Sequence, residues 1–164
     1  MKESVIGSIY PAALIGKTPL IGNIYMPYKL IFTNESVIAF YPDPEKAFKS
    51  GFKVFKAYKY RESNWKKMMS EIDANTIVCN GNSGISDDML QAKYEHGYGS
   101  LPYDKIGGVL LRKGINESEF NILFRPSDVV LMRGLEFCTA RSALEQVKAL
   151  LAKTKLSSKI EIEI

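Results

Sequence analysis

Runs of apolar residues separated by turn-forming residues give the first part of this 164-residue chain a strand-like pattern. Residues 29–32 (KLIF) and 37–41 (VIAFY) are rich in β-branched and aromatic side chains. The four residues between them, 33–36 (TNES), suit a hairpin loop because asparagine tolerates a left-handed backbone. The pattern therefore predicts a β-hairpin. Pro42 and Pro44 should end the sheet, because proline donates no ladder hydrogen bond.

Two more strand-like runs, residues 4–10 and 20–26, precede this hairpin. Residues 4–28 carry only one charge, that of Lys17, but three prolines and three glycines interrupt them. A membrane-spanning helix or a secretory signal needs a longer unbroken apolar run. The pattern favours a strand, a turn and a second strand.

Strand-like runs return in the second half of the chain, at residues 106–112, 120–124, 129–132 and 135–138. Turn-forming residues recur every 8 to 10 positions between them, which is typical of an antiparallel meander. The two strand regions together predict a core that includes Val37, Ala39, Leu110, Ile122, Phe124, Val130 and Leu144.

Residues 140–153 carry the clearest helical pattern, with an apolar stripe at helical spacing. Ser142 with Glu145 matches a capping box, and Thr139 offers an alternative cap. The tail at 159–164 (KIEIEI) alternates strictly, which predicts an added edge strand or a segment that pairs with another chain. The stripe consists of Ala140, Ala143, Leu144, Val147, Leu150 and Leu151.

Residues 45–72 differ in character, because charge rises and helix-forming residues become frequent, and a mixed stretch follows at 73–100. Phe48, Phe52 and Phe55 follow the spacing of one helix face. Shorter helices are predicted at 64–72 and 86–94, the second capped by a serine and separated from the first by a glycine- and asparagine-rich loop.

The order of these patterns resembles prokaryotic pleckstrin-homology-like (PH-like, or GRAM-like) domains. Residues 29–42 resemble the early hairpin of that family, and SLPYDKIGGVLLRKG, beginning at Ser100, resembles its next signature. The resemblance implies an α+β fold, a bent antiparallel barrel closed by a C-terminal helix. The barrel would comprise residues 1–42 and 98–164 of a single domain, with residues 43–97 as a helical insertion between strands.

Composition is ordinary for a globular protein, with 46% hydrophobic and 24% charged residues. The formal net charge of +4 allows an anionic partner without requiring one. Cys79 and Cys138 are far apart and form no CxxC motif, which is typical of reduced thiols in a cytosolic protein.

Catalytic and metal-binding patterns are scarce. The single histidine, His96, is close in sequence to several carboxylates, but no recognised ligand spacing results. Gly16-Lys17-Thr18 lacks the preceding glycine of a phosphate-binding loop. We therefore expect no catalytic residue, no cofactor and no metal, and a protein that is not an enzyme.

The basic-aromatic segment, residues 46–67, carries eight basic residues and one acid, with aromatic residues interleaved. Its phenylalanines could pack on the barrel while its lysines face solvent. It could instead lie on an anionic membrane surface or bind nucleic acid through phosphate contacts and stacking. The residues proposed to contact an anionic partner are Lys49, Lys53, Lys56, Lys59, Arg61, Trp65, Lys66 and Lys67.

These observations predict a non-enzymatic binding module that contacts a protein or the cytoplasmic face of a membrane. The expected location is cytoplasmic, with possible peripheral attachment to the membrane. The alternatives are single-stranded nucleic-acid binding through the basic-aromatic segment and, less favoured, an enzyme. Protein binding could use a sheet edge or the basic helix.

Overall fold

The computed structural model describes residues 3–20, 22–40, 60–61, 65–66, 77–90, 99–127 and 134–164. Ten strands in these ranges belong to one sheet, with the order β10-β7-β8-β9-β1-β2-β3-β6. Short strands β4 and β5 pair beside β2 and β1. The strands are β1 Val5–Thr18, β2 Gly22–Thr33, β3 Ser36–Phe40, β4 Tyr60–Arg61, β5 Val78–Asn80, β6 Ser100–Pro102, β7 Ile106–Lys113, β8 Glu119–Pro126, β9 Leu135–Ala140 and β10 Ile160–Glu163.

Helices accompany the sheet in the described part of the chain, where residues 65–66 are also helical. Helix α1 spans Asp87–Leu90 and helix α2 spans Leu144–Ala152. Three-residue 3-10 turns precede β7, α2 and β10, at Tyr103–Lys105, Arg141–Ala143 and Ser157–Lys159.

The predicted barrel is wrong, because the sheet is open. A barrel needs its two end strands to pair with each other. Here β10 pairs only with β7 and β6 pairs only with β3 within the described residues, so the two ends of the sheet do not meet. Among the described strands every pairing is antiparallel except that between β10 and β7, which is parallel.

The predicted helical insertion at 43–97 is also wrong for the part that the structure describes. Strands β4 and β5 lie there and join the main sheet, and α1 is a single turn of helix. The sequence signal for β5 is the apolar, β-branched run at 76–79 (TIVC). The Phe48, Phe52 and Phe55 stripe lies outside the described residues.

The first two strands are much longer than their sequence pattern indicates. Strand β1 continues past Pro11 and Gly16, and β2 includes Pro27, so the expected separate strands at 4–10 and 20–26 are parts of one long hairpin. The register shifts between Ile9 and Ala12, and this irregularity accommodates Pro11, which cannot donate to a regular ladder.

The predicted hairpin at 29–41 and the meander at 106–138 are confirmed by the pairing of β2 with β3 and of β7, β8 and β9. The Thr33 hydroxyl oxygen accepts hydrogen bonds from the backbone N–H groups of Glu35 (3.1 Å) and Ser36 (2.9 Å), which fixes the turn between β2 and β3. The predicted strand at 129–132 lies outside the described residues.

The predicted closing helix is confirmed, but it is shorter than its pattern and lacks the expected cap. No side-chain cap holds its N-terminus, and the Thr139 hydroxyl instead donates to the Pro11 carbonyl oxygen (2.9 Å). Val147, Leu150 and Leu151 are buried against the sheet. Helix and sheet approach closely at Gly7, where an added Cβ would clash with the Leu150 side chain of α2 and would lie 2.6 Å from the Cys79 carbonyl oxygen of β5.

The core consists of buried side chains of the sheet together with those of α2. Of the predicted core residues, Val37, Ala39, Leu110, Ile122 and Phe124 are buried, whereas Leu144 is only half-buried. Val130 lies outside the described residues. Aromatic rings fill the centre, with Phe137 packing edge-on against both Tyr28 and Phe124.

Candidate functional site

Most of the basic-aromatic segment lies outside the described residues, including Lys49, Lys53, Lys56, Lys59 and Lys67. Of the remaining predicted contact residues, Lys66 is exposed, and the backbone of Arg61 belongs to β4. The anionic-partner surface as a whole therefore stays a prediction.

Trp65, the aromatic residue of that proposed surface, is fully buried. Its indole ring stacks on Tyr25 of β2, with ring centroids 5.7 Å apart and planes only 3° from parallel. In this conformation the ring anchors its segment to the sheet and leaves no face for a nucleic-acid base or a lipid.

A buried thiol and carboxylate form the clearest polar pair inside the fold. Cys138 of β9 donates to a Glu119 carboxylate oxygen (3.0 Å), and both residues are almost fully buried. Burial raises the pKa of the Cys138 thiol, and the charge of Glu119 raises it further. The thiol is therefore held protonated, which is the opposite of what a nucleophilic cysteine needs.

Exposed apolar side chains indicate a second kind of candidate site, on the surface of the molecule. The most exposed large hydrophobic side chains among the described residues are Leu20, Ile115 and Ile162. Leu20 and Ile115 lie in turns between strands, where single exposed apolar residues are common. Ile162 is 50% exposed within strand β10, at the end of the sheet.

Strand β10 is held in place on the side that faces β7. The 3-10 turn before it is anchored by buried Leu156, and the Lys159 ammonium group donates to the Ile106 carbonyl oxygen (2.8 Å). The pairing with β7 is continuous over four residues, from Ile160 opposite Val109 to Glu163 opposite Arg112. The opposite side, here called the β10 edge, pairs with no strand among the described residues.

The alternating tail gives β10 two different faces. Ile160 and Ile164 pack against the core, and Ile162 lies on the same face. Glu161 and Glu163 lie on the other face. Arg112 of β7 and Arg125 of β8 lie on that same face of the sheet.

Ion pairs on this polar face join β10 to β8 and β7 to β9. Arg125 contacts Glu161 (3.2 Å). Arg112 binds Glu136 through two hydrogen bonds of 2.8 and 2.6 Å, and these bonds raise the pKa of its guanidinium. Asn121 also donates to Glu136 (2.8 Å).

The second end of the sheet offers a poorer edge. Strand β6 has three residues and ends at Pro102, which has no backbone N–H to donate. A 3-10 turn follows directly at Tyr103, whose buried hydroxyl donates to the Thr33 carbonyl oxygen (2.6 Å). Of the two ends, β10 is the longer and is regular throughout.

The alternating tail was the sequence signal for this edge. The arginines and Glu136 beside it were not predicted as site residues, because their position depends on the register of three strands that are distant in sequence.

No protein-family model, curated protein or solved structure matches the chain, so the resemblance to PH-like domains stays a prediction. Within the described ranges no group of three or more His, Cys, Asp and Glu residues could hold a metal ion. In the same part of the chain no helix is both long and apolar enough to cross a membrane.

Proposed function

We propose that this protein is a binding module that captures an extended segment of another protein by adding it as a strand along the β10 edge. The observation that carries this proposal is the regular edge of β10, which no strand of the described ranges covers, with a half-exposed isoleucine in the middle of the strand. An exposed strand edge presents unpaired backbone N–H and C=O groups, which template the addition of another strand.

The position of β10 suits this role. A parallel pairing to β7 and a preceding turn that begins at the buried Leu156 keep the strand extended before any partner arrives. A preformed edge reduces the ordering cost of association, because only the partner segment loses conformational freedom. Ile162 then supplies apolar contact beside the backbone hydrogen bonds.

Three synthetic heptapeptides test the proposal on the full chain. They alternate valine with threonine, lysine or glutamate, and their affinity is measured by fluorescence polarisation. At least one should bind. Two N-methylated forms of that peptide, one methylated at the valines and the other at the alternate residues, should then differ in affinity. Only one of these two sets of backbone N–H groups points toward β10. The form methylated at that set should bind about tenfold or more weakly than the other form.

A matched pair of variants locates the site. Ile162→Thr should weaken binding by roughly fourfold, the equivalent of one methylene no longer buried. Ile115→Thr changes an isoleucine of similar exposure (46% against 50%) in the turn between β7 and β8, and it should leave binding unchanged. The proposal fails if none of the three peptides binds, or if both variants affect binding equally.

A further inference from the structure

We infer that the β10 edge selects a segment in which basic residues alternate with apolar ones; this inference rests on the proposed function. Glu161 and Glu163 lie on one face of β10, two residues apart, with Ile162 between them on the other face. A strand that pairs with β10, in either direction, places residues i and i+2 on the face of the two glutamates and residue i+1 on the face of Ile162.

The glutamates leave negative charge available at this edge. Glu161 is 64% exposed and contacts Arg125, itself 46% exposed, so the pair is open to an additional cation. Glu163 is exposed and forms no ion pair among the described residues; the cation that it influences is Arg112, which Glu136 already binds in a bidentate manner. Near the β10 edge this face thus holds the carboxylates of Glu136, Glu161 and Glu163 and the guanidinium groups of Arg112 and Arg125.

A second copy of this chain is a poor occupant of the edge. Antiparallel pairing with Ile162 opposite Ile162 of the second copy sets Glu161 against Glu163. Parallel pairing in register sets each glutamate beside its equivalent. Like charges directly opposite each other destabilise a strand pair, whereas opposite charges stabilise it. Lysine or arginine at the two flanking positions of a partner segment removes this conflict.

The heptapeptide series separates this inference from the proposed function. The full chain should bind the lysine–valine peptide roughly fivefold more tightly than the threonine–valine peptide, because two lysines face Glu161 and Glu163 across the strand pair. It should bind the glutamate–valine peptide most weakly, because like charges then face each other. Added salt should reduce the difference, since the groups involved are exposed.

Two double variants identify the responsible carboxylates. Glu161→Gln with Glu163→Gln should abolish the preference for lysine while the threonine peptide still binds. Asp104→Asn with Glu117→Gln removes the same charge from exposed positions outside β10, in the turns before and after β7, and should keep the preference. Thermal unfolding of each variant checks that the fold is retained.

Equal affinity for all three peptides would overturn the inference and leave strand addition intact. The inference is also overturned if the control double variant loses the preference as fully as the β10 variant, because net charge alone would then explain it. Absence of binding by all three peptides would overturn both the inference and the proposed function.

Discussion

The sequence pattern around Lys29 does not predict that this residue is buried. It lies in β2, where the pattern predicts a strand, and its relative exposure is only 3%. Its ammonium group donates to the Gly84 carbonyl oxygen (2.9 Å), in the turn after β5. Burial lowers its pKa below the ordinary 10.5, although the nearby Cys79 thiolate would raise it.

This shift predicts a specific pH dependence of stability. Between the lowered pKa and 10.5, unfolded chains bind more protons at Lys29 than folded ones, so the free energy of unfolding rises with pH in that interval. Lys29→Met cannot titrate and should lack this rise. Urea unfolding of both proteins from neutral pH to about pH 10 should show the wild type gaining stability relative to the variant; parallel profiles would contradict the assignment.

Residue-scale contacts such as this one could not be predicted from the sequence. The partner of Lys29 is 55 residues away, and the Cys138–Glu119 hydrogen bond depends on the register between β8 and β9. Trp65 was assigned to a binding surface because it lies among lysines, whereas its large apolar ring is buried on Tyr25. Local sequence does not reveal which face of a segment another element covers.

Individual elements were predicted better than individual contacts. The β2–β3 hairpin and the β7–β9 meander were identified because their turns carry clear local signals. Strand β1 was predicted too short because Pro11 and Gly16 indicate breaks, yet an irregular register accommodates the proline. Strands β4 and β5 were missed because they gain their stability from pairing with β2 and β1.

Helix α2 provides the test at the scale of one element. Leu151 is fully buried against the sheet, so Leu151→Ala should cost about 2–5 kcal/mol of unfolding free energy. Leu144→Ala removes the same atoms from a half-buried position in the first turn and should cost less. Urea midpoints of the two variants check the order. Equal losses would show that the helix packs on a different face.

The molecule as a whole differs from the predicted barrel because of how its last strand is placed. The sequence predicted an edge strand at 159–164. Its parallel pairing with β7 depends on a crossover connection that contains α2, and no local sequence pattern indicates which strand such a connection leads to. This placement leaves the two ends of the sheet apart and makes β10 one of them. The same placement brings Glu161 into an ion pair with Arg125 of β8 and sets Glu163 opposite Arg112 of β7.

Amide hydrogen exchange along β10 tests strand addition most directly. In the free protein, the amides of β10 that face away from β7 have no backbone acceptor among the described strands and should exchange quickly. Saturation with the lysine–valine heptapeptide should slow exchange at these alternate residues of β10, with little change along β6. Unchanged exchange along β10 in the presence of bound peptide, or protection confined to another strand, would contradict the proposed function.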